Sequence, residues 1–351
     1  MRPFILIIGP CAAESELQMQ DLAVALRDHI PSARTLLRAG VWKPRTLPDN
    51  FSGVGQIGLT WLVQSASLLN VPPITEVGQP EHLLQAYNAG LRHFWIGSRT
   101  AGDPFALTAL ADTARDLGAP SMTFYVKNPL SSDLSLWYGA ITRLQKTGAQ
   151  VHAIHRGYAF PDGSTTGYRN IPRYSAVLEL RKRFPAIQVL TDVSHIAGDA
   201  SKVANVAMEA INHGADGLMI EVHPHPAEAL TDARQQISPD TFKSLLIDLP
   251  VTAPPLSPAA ELNELRMQID ETDDALWALV TKRMQIAQAI GDYKRTHHMQ
   301  PYQPQRYNQV LQRRKDWATA HGIAHQTVQR IVDALHDESV ARQQAIQTNT
   351  N

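Results

Sequence analysis

Over the first two thirds of the chain, short apolar runs alternate with stretches whose apolar residues recur every three or four positions. The runs are Phe4–Gly9, Thr35–Arg38, Pro73–Val77, His93–Gly97, Met122–Val126, Val151–His155, Ile187–Thr191 and Gly217–Val222. Runs this short and apolar read as buried strands. The patterns between them, such as Leu17–Ile30, Ile57–Leu69 and Ala200–His213, read as amphipathic helices. Eight strands separated by helices over about 250 residues predict a (β/α)8 TIM barrel. A doubly wound parallel sheet is the rival, but it gives no reason for a count of eight.

From Leu262 the period changes. Leu262, Leu265, Ile269, Leu276, Leu279, Ile286 and Ile290 form the seam of one long helix. Helical stretches at about Gln305–Ala320 and Ala324–Gln347 follow. Residues 1–260 hold 18 of the 20 glycines and 21 of the 23 prolines, so breakers are frequent before this point and rare after it. The Pro-rich stretch Leu249–Pro258 marks the change and reads as a semi-rigid linker. The expected architecture is a barrel over 1–248, a linker over 249–260 and a small all-α three-helix domain over 261–351 that dimerises.

Lys and Arg number 32 against 33 Asp and Glu, which removes any global electrostatic reason to expect a nucleic acid or a membrane as partner. The single cysteine, Cys11, excludes an intrachain disulfide. The N-terminal apolar run is too short for a signal h-region, and no other run approaches spanning length. A cytoplasmic protein is expected. Because the barrel pattern opens at about residue 4, no N-terminal regulatory extension is expected.

In a (β/α)8 barrel the chemistry collects at the C-terminal strand ends. Those ends carry Cys11, Arg38 with Lys43, Glu76, Arg99, Lys127, Arg156, His195, and Glu221 with His223. A solvated loop charge explains any one of them; it does not explain all eight. Cys11, His195, Glu221 and Asp232 mix soft and hard donors, which suits one first-row divalent ion such as Mn2+, Fe2+, Co2+ or Zn2+. Arg38, Lys43, Arg45, Arg99, Lys127 and Arg156 are too many cations for one phosphate. They imply two anionic substrates, at least one phosphorylated, beside a metal that polarises a carbonyl.

The segments Gly9-Pro-Cys-Ala-Ala-Glu14, Arg38-Ala-Gly-Val-Trp-Lys-Pro-Arg-Thr46, Ile74-Thr-Glu76, Ile96-Gly-Ser-Arg99, Arg156-Gly157, Asp192-Val-Ser-His195 and Glu221-Val-His223 resemble the short bacterial (type I-beta) 3-deoxy-D-arabino-heptulosonate 7-phosphate (DAHP) synthases. That family condenses phosphoenolpyruvate with erythrose 4-phosphate, at the first step towards aromatic amino acids. The resemblance implies Cys11, His195, Glu221 and Asp232 as metal ligands. It implies Arg99, Lys127 and Arg156 at the phosphoenolpyruvate phosphate, Arg38 and Lys43 at its carboxylate and reacting end, and Glu76 beside them. Pro44, Arg45 and Thr46 would meet erythrose 4-phosphate, with Lys43 and His195 as catalytic residues. The related 3-deoxy-D-manno-octulosonate 8-phosphate synthases typically carry Lys-Ala-Asn-Arg-Ser at this point, so Lys43-Pro-Arg-Thr46 favours the four-carbon aldose. Two departures, His155 for a frequent Glu and Val193 for a frequent Pro, touch no metal or phosphate position.

On the long helix, Arg283 falls on the apolar seam. Lys294, 11 residues on, lies about 20° away on the same face and roughly 16 Å along the axis. Arg266 lies about 100° off that face, where it could serve a partner chain. Leu265-Arg-Met-Gln-Ile-Asp270, Arg283, Gly291-Asp-Tyr-Lys294, Arg306 and Asp337-Glu-Ser-Val-Ala-Arg-Gln-Gln344 resemble the all-helical chorismate mutases. The resemblance implies Arg283 and Arg306 at the substrate carboxylates, Arg266 from the other subunit, Lys294 and Gln343 at the ether oxygen, and Ser339 near the ring. No cofactor is implied for this domain. Tyr307 stands where the family usually has Glu for the substrate hydroxyl, and Gln303 where Asp is frequent.

The combined reading is a bifunctional enzyme acting on phosphoenolpyruvate, erythrose 4-phosphate and chorismate, with prephenate as a feedback effector of the synthase. The alternatives are an octulosonate-phosphate synthase with an inert helical tail, or a synthase whose helices only regulate it.

Overall fold

The computed structural model describes residues 2–44, 49–159, 167–253 and 260–348. They fall into two compact units, 1–267 and 268–351. In the first, eight parallel strands close into a barrel in sequence order: β1 Ile5–Gly9, β2 Thr35–Arg38, β3 Pro73–Glu76, β4 His93–Ile96, β5 Thr123–Lys127, β6 Gln150–His155, β7 Val189–Asp192 and β8 Gly217–Glu221. The helices around it are α1 Glu16–Leu26, α2 Ile57–Leu69, α3 Pro80–Asn88, α4 Ser98–Ala101, α5 Pro104–Asp116, α6 Leu134–Gln145, α7 Ser175–Arg183, α8 Val193–Ala197, α9 Val203–Asn212 and α10 Pro239–Ile247. The remainder of the chain is helical: α11 Ala260–Thr296, α12 Pro304–Ala320 and α13 His325–Thr348. No helix among the described residues is long and apolar enough to cross a membrane.

All eight expected strands are present, with small shifts at their ends. The β5 strand ends one residue later than its apolar run, which brings Lys127 into the ladder. The first helix stops at Leu26 rather than Ile30, ahead of Pro31, which disfavours helical backbone in the residue before it. The pattern over Ala200–His213 splits into a 3-10 turn, Ala200–Lys202, and α9.

Side chains alternate between the two faces of a strand. The inward face of the barrel is filled by Ile5, Ile7, Leu36, Ile74, Trp95, Tyr125, Ile154, Leu190 and Met219. The intervening residues pack outward against the helices, in a second and larger core. Two residues beyond the uppermost of these inward positions the series continues as Gly9, Arg38, Glu76, Gly97, Lys127, Arg156, Asp192 and Glu221. The period of two therefore places a charged ring directly on an apolar plug, and closure of the barrel makes the ring converge. Gly9 and Glu221 are register partners across the closing seam.

His155, next to Arg156, faces outward on β6, wholly buried against Tyr158 and Tyr174, with ring centroids 6.3 Å and 5.5 Å away. Neither of its ring nitrogens has a hydrogen-bond partner among the described residues. Burial, then the Arg156 charge, pushes its pKa down to about 3. An unfolded histidine titrates near 6.5, so the stability held by this neutral ring is complete above that pH and is lost as pH falls towards 3. By pH 4 the loss should reach about 3 kcal/mol. Urea unfolding of the barrel at pH 7, 5.5 and 4 should show this decline, and His155→Asn should flatten it.

Candidate active sites

Cys11 owes its position to Gly9. With φ +138° and a virtual Cβ 2.2 Å from the Arg38 carbonyl oxygen, position 9 admits only glycine, and the chain can turn across the strand ends. The Cys11 amide then donates to Gln236 Oε1 at 3.0 Å. Its carbonyl accepts from the Gly40 amide at 3.2 Å. The Cys11 sulfur and the carboxylate oxygens of Glu221 and Asp232 all lie within 4.8 Å of one another.

His195 stands on the short helix α8, whose N-cap is Asp192. The Asp192 carboxylate accepts from the His195 amide at 3.2 Å and lies 3.2 Å from Nδ1 of the ring. A carboxylate at Nδ1 selects the tautomer protonated there and leaves Nε2 as the donor atom. Nε2 lies 4.0 Å from Asp232 Oδ2, and Nδ1 lies 3.7 Å from Glu221 Oε1. Asp232 sits in left-handed backbone, φ 50°, and Arg169 donates to it at 3.0 Å.

Burial, reinforced by the Glu221 charge, pushes the Cys11 thiol up to about 12. Burial also pushes Asp232 and Glu221 upward, but both are held low, mainly by His195, with Arg169 helping at Asp232 and Arg38 at Glu221. A thiol, an imidazole and two carboxylates crowd one small volume and have their own hydrogen bonds to hold them there. This donor set fits one divalent cation, whose charge would relieve the crowding.

His195 and Asp232 of this group line a cavity of about 610 Å³, together with Lys43, Glu76, Arg99, Lys127 and Arg156. Lys43 Nζ donates to the Cys11 sulfur and carbonyl, each at 3.1 Å. Burial lowers its pKa, but Cys11 and Glu76 outweigh burial and raise it, so it stands as an ammonium. Arg38 is buried and pairs with Glu221 at 3.2 Å. Lys127 pairs with Asp192 at 2.6 Å. Arg156 donates to Asn170 Oδ1 at 3.1 Å, and Asn128 holds its backbone amide at 2.7 Å. Burial, with Arg169 and Arg99 close by, pushes the Arg156 pKa down to about 10. Cations this crowded call for an anion between them. Pro44 lines the same cavity, while Arg45 and Thr46 lie outside the described residues.

The sequence reading missed the residues that hold these groups. Asp192 caps α8, orients His195 and pairs with Lys127; its inward phase, two residues after Leu190, was the available signal. Gln235, which donates to Glu221 at 2.7 Å, and Gln236 follow no period that would have singled them out.

The helical unit holds a second cavity, of about 350 Å³, and its lining includes Arg283, Lys294, Arg306, Tyr307, Ser339 and Gln343. Arg283 and Lys294 come from α11, Arg306 and Tyr307 from α12, Ser339 and Gln343 from α13. A virtual Cβ at Gly291 would lie 3.0 Å from Gln343 Cγ, so glycine lets α11 and α13 approach there. Arg283 donates to Ser339 Oγ at 2.6 Å and to the Leu335 carbonyl at 2.7 Å. Lys294 donates to the Pro301 carbonyl at 2.6 Å. The Tyr307 hydroxyl is already engaged: it donates to Asp333 and accepts from Gln329. Its proton is committed within the chain, so towards a ligand it can act only as an acceptor. Arg266 is exposed and absent from this lining, 17 residues before Arg283, about 25 Å along a helix.

These features define an enzyme of the (β/α)8 class with a cation-lined cavity beside a mixed set of sulfur, nitrogen and oxygen donors, followed by a helical unit with its own cationic pocket. The chain belongs to the DAHP synthetase I family, whose sequence model matches residues 2–252, and it carries a chorismate mutase type II domain over residues 265–344. A phospho-2-dehydro-3-deoxyheptonate aldolase of Thermotoga maritima is 29% identical over 248 residues, covering 70% of this chain and 69% of that protein. A 4-amino-4-deoxychorismate mutase of Streptomyces pristinaespiralis is 34% identical over 94 residues, 26% of this chain and 73% of its own length. A 2-dehydro-3-deoxyphosphooctonate aldolase of Koribacter versatilis is 25% identical over 265 residues, 70% of this chain and 89% of that one. A crystal structure of a T. maritima DAHP synthase superposes with a TM-score of 0.60 at 26% identity, over 70% of this chain and 68% of that one. The protein is thus an enzyme with two activities, 3-deoxy-7-phosphoheptulonate synthase and chorismate mutase.

Removing one partner of a buried ion pair typically costs about 3–5 kcal/mol. Asp192→Asn leaves Lys127 buried without its counter-charge and His195 without its orienting carboxylate. Synthase kcat/KM should fall at least about a hundredfold. The mutase rate of the same preparation should not change; an equal fall in both would mean general misfolding.

Proposed function

We propose that the barrel joins phosphoenolpyruvate to erythrose 4-phosphate at one divalent metal held by Cys11, His195, Glu221 and Asp232. The observation that carries this reading is the meeting of cations and metal donors in one cavity: Lys43, Arg99, Lys127 and Arg156 line it together with His195 and Asp232, and Asp232 also clusters with Cys11 and Glu221. Arg99, Lys127 and Arg156 bind the phosphoenolpyruvate phosphate, with Arg38 and Lys43 at the carboxylate and reacting end and Glu76 at the cavity wall. Pro44, Arg45 and Thr46 take the aldose phosphate. The metal, when bound, supplies Lewis-acid polarisation of the aldehyde. Carbon 3 of phosphoenolpyruvate attacks that aldehyde carbon, water adds at carbon 2 and phosphate leaves. Lys43, held as an ammonium, protonates the aldehyde oxygen as the new bond forms. Mn2+ is the favoured ion, and a buried thiol ligand suits a reducing, cytoplasmic setting.

The division of the chain follows the same reading: synthase over 1–248, linker over 249–260 and mutase over 261–351. In the helical unit, Arg283 and Arg306 clamp the chorismate carboxylates, while Lys294 and Gln343 stabilise the ether oxygen as its bond breaks and Ser339 lies near the ring. A pericyclic rearrangement needs only electrostatic preorganisation, and this pocket is rich in donors. Leu276, Leu279, Ile286 and Ile290 on α11 are 51%, 59%, 54% and 44% exposed in a single chain. Such a seam is what a second copy would cover, bringing Arg266 of one chain to the pocket of the other.

Chelation should abolish synthase activity and added Mn2+ restore it, with mutase activity unchanged throughout. Cys11→Ala should bind no metal; full synthase activity after verified metal removal would sink the ligand assignment.

Arg266→Ala and Arg283→Ala should each be inactive as mutases. Mixed under conditions of subunit exchange, they should regain part of the activity, because one hybrid pocket is intact. No recovery despite exchange would remove Arg266 from the partner's site.

Prephenate, bound in the mutase pocket, should inhibit the synthase through a coupling of about 1–3 kcal/mol between arrangements of the two domains. Arg283→Ala should lose this inhibition while keeping the uninhibited synthase rate. Synthase rates that stay constant at saturating prephenate, with binding shown separately, would leave co-expression or channelling as the reason for the fusion.

A further inference from the structure

The apolar plug beneath the charged ring is mostly aliphatic, but its β4 member is Trp95, wholly buried. The indole contributes more than volume. The Arg38 guanidinium carbon lies 4.9 Å from its ring centroid, and Lys127 Nζ lies 5.9 Å from it. One aromatic ring thus serves cations from two different strands, β2 and β5.

Each of these cations has a single carboxylate partner among the described residues, Glu221 for Arg38 and Asp192 for Lys127. Both carboxylates have other tasks: Glu221 belongs to the metal-ligand set, and Asp192 orients His195. Arg38 also keeps Nε and Nη1 buried with no hydrogen-bond partner among the described residues. A guanidinium has five donors in a fixed fork, so one with most of its donors unused needs something else to fix its orientation. A π face does this, because it attracts the cation without occupying its N–H groups. Further carboxylates would fix the cations equally well, but they would cancel the charge an anionic substrate must meet. The Trp95 Nε1–H is itself buried without a partner among the described residues. An aliphatic filler would avoid that cost, so a residue chosen only to fill the barrel would not be tryptophan.

We propose that Trp95 is a positioning residue of the synthase, whose indole face presets Arg38 and Lys127 for the anionic groups of phosphoenolpyruvate while leaving their charge and donors available. This rests on the placement of phosphoenolpyruvate against those two cations.

The test keeps the shape of residue 95 and changes its electrostatics. Site-specific replacement of Trp95 by mono-, di-, tri- and tetrafluorotryptophan in the full-length, metal-loaded enzyme drains the ring quadrupole stepwise with little change in size. KM for phosphoenolpyruvate should rise step by step, by about tenfold at the fully fluorinated ring. KM for erythrose 4-phosphate and the thermal midpoint should stay constant. Trp95→Phe, which keeps a weaker π face, should fall between wild type and Trp95→Leu in phosphoenolpyruvate affinity. A flat fluorination series would overturn the proposal, even if Trp95→Leu proves unstable, since packing alone predicts that result. Lys127→Met and Arg38→Met serve as controls for the substrate placement. If they raise KM for phosphoenolpyruvate while the series is flat, only the role of Trp95 falls; if they leave it unchanged, the placement falls and the proposal with it.

Discussion

The barrel's chemistry depends on the mutual compensation of charges buried at the top of a closed sheet. Arg38, Lys127, Asp192 and Glu221 are almost wholly removed from solvent, where an unpaired charge is costly. They persist because closure turns the strand ends towards a common axis, where Arg38 of β2 meets Glu221 of β8 and Lys127 of β5 meets Asp192 of β7. The pairing is incomplete: Asp192 is shared with His195, Glu221 clusters with Cys11 and Asp232, and Arg38 keeps two donors without a partner among the described residues. This partial satisfaction is what makes the interior a site for small charged molecules as well as a core.

Much of this was legible in the chain, because a strand's period of two is written directly in its apolar alternation. The eight runs, the C-terminal ends of β1, β2 and β6, and the strand-end residues Cys11, Arg38, Lys127, Arg156 and Glu221 could all be read. The supporting residues could not. Asn128 reaches across to the Arg156 amide, Gln236 to the Cys11 amide and Arg169 to Asp232, contacts between residues 28, 225 and 63 positions apart. A one-dimensional pattern carries no record of such pairings. Asp192 was the exception, readable from its phase but overshadowed by His195 three residues on. In the helical unit the spacing of Arg283 and Lys294 gave their common face, and both line one cavity. The commitment of Tyr307 to Asp333 and Gln329 needed the packing of α12 on α13.

The two sites meet anionic substrates by opposite means. In the barrel, acids and bases are interleaved, so the field changes sign over a few ångströms, as suits a reaction that adds, removes and relocates protons. The helical pocket presents Arg283, Lys294 and Arg306 with no acid among its lining residues, as suits a rearrangement in which the substrate itself supplies all the bonds. The Tyr307–Asp333 contact keeps a carboxylate near that pocket while placing a phenol between the negative charge and the cavity.

The single cysteine of the chain has a consequence for the enzyme's durability. Peroxides and other electrophiles react with thiolates and only slowly with neutral thiols. Burial and the Glu221 carboxylate keep Cys11 protonated in the metal-free barrel, and the residue has no solvent exposure. The sulfur is therefore held in the form least open to oxidation. Conversion to sulfinic or sulfonic acid, which no simple reductant reverses, is slowed at the one position where the barrel places a thiol beside two carboxylates.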